Sequence, residues 1–197
     1  MVQLAVQNAG EWLKSQKEEE SEEDFIKNLE ERLFLSQPPW LIECVDISNL
    51  QGEEAVGSLV CFSGKKPVKN RYRKFKIRLT QGPNDYAMMY EVLTRRFRRA
   101  GEWPLPDLLL IDGGKGHLQI ALKALADLGL HTLPAIAIAK AKKGEKADKI
   151  FIPGRKNPLS LKGDSKEILY LMRIRDEAHR FGITYHRLLR SRKVPCS

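Results

Sequence analysis

Apolar residues at Phe25, Ile26, Leu29 and Leu33 fall at i, i+1, i+4 and i+8, one stripe of a helix. They predict that residues 1–35 are largely helical, with EEESEED as a charged stretch between two apolar patches. SQPPW (36–40) stops the helix, because each proline removes a donor and disfavours helix in the residue before it. LIECVDI (41–47) is apolar at nearly every position, as a central strand covered on both faces would be. AVGSLVCF (55–62) reads as a second strand, and after the GKKP turn YRKFKIRL (72–79) alternates cations with apolar or aromatic residues, the pattern of a half-exposed third. From Pro83 to Arg99 the spacing predicts a helix, with Pro83 and Asn84 in its first turn and a stripe of Ala87, Tyr90, Val92 or Leu93, and Phe97. DLLLID (107–112) is a strand, HLQIALKALADLG (117–129) a helix closed by Gly129, and PAIAIAK (134–140) a further strand. KAKKGEKAD reads as a polar loop and DKIFIPG (148–154) as an edge strand or hairpin. SKEILYLMRIRDEAHRF (165–181) and ITYHRLLRSR (183–192) read as two closing helices.

The order is therefore three strands, helix, strand, helix, strand, then C-terminal helices. That is an α/β chain with a mixed sheet, and a leading three-strand meander followed by strand–helix repeats resembles the connectivity of the ribonuclease H-like fold. In such a fold the first strand lies beside the strand that follows the first core helix. Asp46 and Asp112, 66 residues apart in sequence, would then share one site. The prolines divide the chain into an acidic helical arm or linker, residues 1–39, and a core domain, residues 40–197.

Charge sharpens that division. The chain carries +9 overall, but residues 1–36 hold nine acids against four bases, a net of −5, which leaves +14 on residues 37–197. A basic domain of this size points to a polyanion, nucleic acid first. In RYRKFKIR (71–78), RRFRR (95–99) and RIRDEAHRFGITYHRLLRSRK (173–193) cations interleave with aromatics, as suits a phosphate backbone. A hydrophobic content of 42% allows an ordinary core. No apolar run reaches membrane-spanning length and the N-terminus lacks the layout of a secretory signal, so no membrane role is expected. Cys44, Cys61 and Cys196 are odd in number and lack CxxC spacing, which argues against a disulfide framework or a zinc site and fits a reducing cytoplasm. Cys44 and Cys61 are expected to pack inside strands.

LLLIDGGKGH (108–117) holds the chemistry-bearing acid. A carboxylate at the end of a buried strand is costly unless its charge is compensated. Two carboxylates in one cleft repel each other, and a divalent cation with a taste for oxygen ligands, Mg²⁺ or Mn²⁺, removes that repulsion. Such an ion suits phosphodiester hydrolysis. Taken singly, Asp46 can equally be a strand-end acid bonded to backbone amides, and Asp112 a turn-forming Asp before glycine. On a helix, His179 lies three residues after Asp176 and seven before His186, and beside two carboxylates it can ligate metal or carry a proton. The arginines at 173, 175, 180, 187, 190 and 192 would set it facing phosphate. GGKG lacks Walker A spacing; its glycines allow close backbone approach and Lys115 can then meet a phosphate, or the segment is a plain strand-to-helix turn.

Four blocks in order, IECVDISNLQG, PNDYAMMYEVLTRR, PDLLLIDGGKGHL and IRDEAHRFGITYHRLLRSR, resemble the C-terminal nuclease half of the UvrC family of bacterial nucleotide excision repair, over residues 40 to 193. The resemblance implies a ribonuclease H-like, metal-dependent endonuclease that makes the incision on the 5′ side of a DNA lesion. It implies an Asp-Asp-His triad at Asp46, Asp112 and His179, all three as ligands of Mn²⁺ or Mg²⁺ with His179 as ligand or general acid/base, and a further catalytic aspartate at Asp85. Asp85 also suits a helix start by its charge alone. Lys115, Arg180 and Arg187 are candidates for positioning DNA phosphates. The implied partners are damaged double-stranded DNA and UvrB, in a complex loaded after UvrA. Where family members often have His-Thr after DIS, this chain has Asn49-Leu50. The acidic arm resembles the linker before the family's nuclease core, just after its UvrB-binding segment. The family's N-terminal nuclease module and C-terminal tandem helix-hairpin-helix domain find no counterpart, so the chain is expected to be a fragment with weak DNA affinity of its own. Two alternatives stay open on the residues alone: a non-catalytic DNA-binding scaffold on the same frame, and an endonuclease V-like or RNA-cleaving relative.

Overall fold

The computed structural model describes residues 21–48, 55–78, 84–99, 101, 103–141, 147–159 and 165–193, with side chains up to residue 184 in the last segment. Helix α1 (Glu22–Leu33) begins at Ser21, whose hydroxyl accepts from the amide of Asp24 at 3.0 Å, and ends at Phe34 in the left-handed region. Strands β1 (Leu41–Ser48) and β2 (Val56–Ser63) pair antiparallel along their whole length. A two-residue β3 (Lys66–Pro67), a 3₁₀ turn and β4 (Arg73–Lys76) follow, and both short strands pair with β2. Helix α2 (Asp85–Phe97), β5 (Leu108–Asp112), α3 (Lys115–Asp127), β6 (Ala135–Ala139), β7 (Lys149–Phe151) and α4 (Lys166–Lys193) complete the chain.

The sheet runs β3-β2-β1-β5-β6-β7, with β4 also on β2. β1, β5 and β6 are parallel neighbours; β2 and β7 run against them. This is the mixed-sheet connectivity expected from the order of elements. Alternation of side chains along each strand builds a core on either face. Ile42, Cys44, Val60, Leu108, Leu110 and Ile138 meet α1 and α4 on one side. Val45, Leu59, Leu109, Ile111 and Ala137 meet α2 and α3 on the other. β1 is buried on both faces, as its continuous apolar run requires. Cys44 and Cys61 are buried free thiols, as expected. Among the described residues no helix is long and apolar enough to cross a membrane.

The structure differs from the sequence expectations in three places. The strand expected at 72–79 covers four of the described residues, Arg73–Lys76; just past it the Arg78 amide donates to the Glu91 carboxylate on α2 instead of to a neighbouring strand. The two closing helices are one continuous helix, α4, of 28 residues. Gly182 lowers helix stability by about 1 kcal/mol against alanine but does not end a helix. Its backbone instead presses on the sheet: a Cβ there would lie 2.8 Å from Ser48 Oγ and 3.4 Å from Asp46 Oδ2. Finally, α1 does not stand off from the sheet: Phe25, Ile26, Leu29 and Leu33 are at most 3% exposed and join the same cluster as β1, β2 and α4.

Candidate metal centre

Asp46 is the sixth residue of β1 and Asp112 the last of β5. The parallel register pairs Cys44 with Leu110 and Val45 with Ile111, so the two aspartates come next at the same end of adjacent strands. Both have the alternation phase of the α4 face, since Ile42, Cys44, Leu108 and Leu110 pack there. Helix α4 crosses this end and brings His179, whose Nδ1 lies 3.5 Å from Asp46 Oδ2. One donor atom each from Asp46, Asp112 and His179 fall within 4.8 Å of one another. The close crossing at Gly182 is what lets the helix come this near.

Surrounding groups fix and charge the site. Ser48 Oγ donates to Asp46 Oδ2 at 2.6 Å, and Ser58, opposite Asp46 on β2, donates to the Ala178 carbonyl at 2.8 Å, tying α4 to the sheet. Burial, followed by the neighbouring charge of Asp46, pushes the Asp112 carboxyl up to about 7, although Arg175 opposes the shift. Two acids held this close, one retaining its proton into the neutral range, call for a compensating cation. Burial, then Asp112 and Asp46, likewise raise the Cys44 thiol beneath them, which keeps it protonated and inert. A hard divalent cation fits this donor set of two carboxylates and one imidazole nitrogen. A zinc site of the structural kind, built on thiolates, does not, since Cys44 keeps its proton.

Other sequence candidates fall elsewhere. Asp85 is the exposed first residue of α2, after the Asn84 cap that accepts from Ala87 N, and stands outside the trio. Its charge acts on His117, which desolvation holds below the ordinary imidazole range and whose ring lies 4.9 Å from that of Tyr86. Lys115 is exposed at the first residue of α3, three positions past Asp112. Gly113 before it takes φ +146°, and a Cβ there would meet His117 Cγ at 2.6 Å, so the turn requires glycine. Arg180 is exposed but gripped by Glu177 at 2.6 and 2.8 Å. The side chains of His186 and Arg187, and the segment Asn49-Leu50, lie outside the described residues. Arg175 departs from its expected place facing phosphate: it is 4% exposed and turns inward to Asp148, while also bonding Asp176. Arg96 likewise turns inward, to Glu43. Sequence reasoning missed Ser48, whose position two residues after Asp46 on the same strand face was the available signal. It also missed Gly182 as the residue that seats α4.

Sheet order and the paired carboxylates define a ribonuclease H-like domain with an acidic centre of the nuclease type. The chain belongs to the UvrC RNase H endonuclease domain family, whose model matches residues 30–183. UvrABC system protein C of Desulfotalea psychrophila is 49% identical over 195 residues, 98% of this chain and 32% of that protein. That of Cytophaga hutchinsonii is 42% identical over 198 residues, again 98% of this chain and 32% of that protein. The chain thus spans about a third of the length of these curated relatives. Among solved structures, Ciona intestinalis endonuclease V in complex with a 24mer DNA containing an inosine followed by a ribo-adenosine matches with a TM-score of 0.50 and 15% identity, over 93% of this chain and 99% of that one. That likeness speaks to the fold alone.

Proposed function

We propose that this chain is the metal-dependent DNA endonuclease unit of a UvrC-type protein, hydrolysing a phosphodiester on the 5′ side of a lesion in nucleotide excision repair. The observation that carries the reading is the convergence of Asp46, Asp112 and His179 within 4.8 Å in a chain of this family. Asp46 and Asp112 would hold Mn²⁺ or Mg²⁺, with His179 Nδ1 as the third donor. A divalent ion bound there supplies positive charge for a phosphoryl oxygen and lowers the pKa of attacking water.

The chain's own residues do the rest. Ser48 donates to Asp46 Oδ2, the oxygen nearest His179, and so fixes the carboxylate's orientation at the site. The His179 side chain is 57% exposed, so its edge remote from Asp46 is open to a substrate. Lys115 sits at the N-terminal turn of α3, where backbone amides and the helix dipole favour an anion. Arg180, the residue after His179, and Arg187, two turns further along α4, would position the strand; Arg180 would have to exchange Glu177 for phosphate. Asp85 acts at a distance, by holding charge beside His117. The substrate is damaged double-stranded DNA and the partner UvrB, with loading after UvrA; the resemblance of the four sequence blocks supports these assignments.

Asp46→Asn and Asp112→Asn are each expected to abolish Mn²⁺-dependent nicking of lesion-bearing duplex, a loss of at least about a thousandfold, with circular dichroism unchanged. Nicking that persists in EDTA, or in both variants, overturns the reading.

A further inference from the structure

On the opposite face of the sheet from the metal centre, at its β4 edge, lies a cavity of ≈ 540 Å³ walled by cations. Arg73, Lys74 and Arg78 reach it from β4 and the residues after it; Arg95, Arg96, Arg98 and Arg99 reach it from the last turn of α2 and beyond. The remaining walls are Phe75 and Trp103; among the described residues no acid lines it, although Arg95 is paired with Glu91 at 3.0 Å. The two basic clusters that are separate in sequence, 71–78 and 95–99, thus converge on one space. Arg73 lies over the Trp103 ring at 4.0 Å and Arg95 over Phe75 at 5.4 Å, so the guanidiniums are held as flat, pre-positioned donors.

The floor of this cavity carries an unbalanced charge. Glu43 is wholly buried and receives Arg96 through two bonds of 2.9 Å, and Arg71 through a third of 3.1 Å. Two guanidiniums therefore share one carboxylate. Among the described residues, Nη1 of Arg96 has no hydrogen-bond partner, although Arg96 is 1% exposed. A buried charged donor left unmet is costly. Arg96 is covered by the Phe97 and Trp103 rings, so it adds positive charge beneath the cavity, and the exposed arginines above it supply the contacts.

We propose that this cavity is a second, non-catalytic DNA-backbone site, in which the exposed arginines above Arg96 grip phosphates of the strand that runs to the metal centre. The inference rests on the DNA reading above. Register supports nucleic acid over an acidic protein. Lys74 on β4 pairs with Ser58, and Ser58 pairs with Asp46, so the cationic edge strand stands two strands from the metal centre. Lys74 also reaches the α4 face, over the Phe181 ring at 4.3 Å. A positive surface therefore continues round the sheet edge, from the face that cuts to the face that grips. The volume suits a sugar-phosphate segment better than a lone ion.

The test uses the exposed arginines, so that the fold is kept. Arg98→Ala/Arg99→Ala is compared with the parent chain and with Lys27→Ala/Lys66→Ala, which removes the same charge from exposed positions elsewhere. Binding of a fluorescent duplex oligonucleotide is followed by anisotropy across salt concentrations in EDTA, where no cleavage occurs, and thermal melting checks each variant. The arginine pair is expected to weaken binding about tenfold or more and to flatten the plot of log K against log [salt] by roughly 0.9 for each phosphate no longer neutralised. The lysine pair should stay within about twofold. An unchanged slope in the arginine variant overturns the proposal. So does an equal loss in the lysine variant, or a loss confined to poly-glutamate peptide or free phosphate with duplex binding intact. Mn²⁺ binding by calorimetry is read separately in the Arg98→Ala/Arg99→Ala variant and should match the parent, so failure of the metal site and failure of this site give different results.

Discussion

Asp112 is held in its neutral form well above the range of a free aspartate, by burial first and by Asp46 second. Its folded pKa, about 7, exceeds the unfolded value, so the folded state binds more protons and stability falls as pH rises from about 4 through 7. The metal-free protein is therefore expected to melt several degrees lower at pH 8 than at pH 5.5, about 2–4 °C for each kcal/mol. Mn²⁺ should restore most of that difference at pH 8 and little at pH 5.5, where it competes with the proton. Melting curves in EDTA and in Mn²⁺ at the two pH values decide it; a metal-free curve more stable at pH 8 would rule out this account of Asp112. His179 differs in being mostly open to solvent. One buried acid and one exposed imidazole give the site a fixed side and an adjustable one.

At the scale of elements, α4 is the part that completes the site. It ties to the sheet through Ser58 and Ala178, to the β7 side through Arg175 and Asp148, and to α1 through an edge contact of Tyr170 with Phe25 at 5.2 Å. Gly182→Ala pits two effects against each other. Alanine favours the helix by about 1 kcal/mol, while its Cβ would fall 2.8 Å from Ser48 Oγ. Ser48 can yield by rotating, which gives up its bond to Asp46. The expected outcome is a melting temperature within about 3 °C of the parent, with Mn²⁺ affinity by calorimetry weakened about tenfold, the scale of removing an outer hydrogen bond to a ligand. A variant that binds Mn²⁺ normally would show that Gly182 only fills space.

Across the whole molecule, α1 decides where the folding unit begins. The proline-marked boundary near residue 39 predicts an arm, yet the helix before it buries its four-residue stripe against β1, β2 and α4. We propose that the nuclease unit includes α1. Leu29→Ala should then cost about 2–5 kcal/mol and lower the single denaturant transition of the whole chain; a separate early transition would mean that α1 folds on its own.

Much of this architecture was legible in the chain. β1 and β5 stood out because strands covered on both faces are nearly continuous apolar runs, Asp46 because it interrupts one and Asp112 because it ends one. Their adjacency required a fold, which the order of elements supplied. His179 was located by its neighbours in RDEAHRF, and α1 by its stripe. What stayed hidden depended on distant contacts. A glycine in a helix looks like a break until a sheet is seen pressing on it, as at Gly182. An arginine in a basic cluster looks solvent-facing until a buried acid is found for it, Asp148 for Arg175 and Glu43 for Arg96. Residue type gives the charge; only the fold gives its partner.

The matched phase of Asp46 and Asp112 on adjacent parallel strands also limits how this sequence can change over generations. Alternation has period two, so deleting one codon between Ile42 and Asp46 would turn the first carboxylate to the α2 face while the strand could still pair. The altered chain would keep a sheet and lose the convergence of Asp46, Asp112 and His179. Length variation is therefore expected to be purged from β1 and β5 and to accumulate in the connection between β6 and β7, where an added residue shifts neither Asp46 nor Asp112.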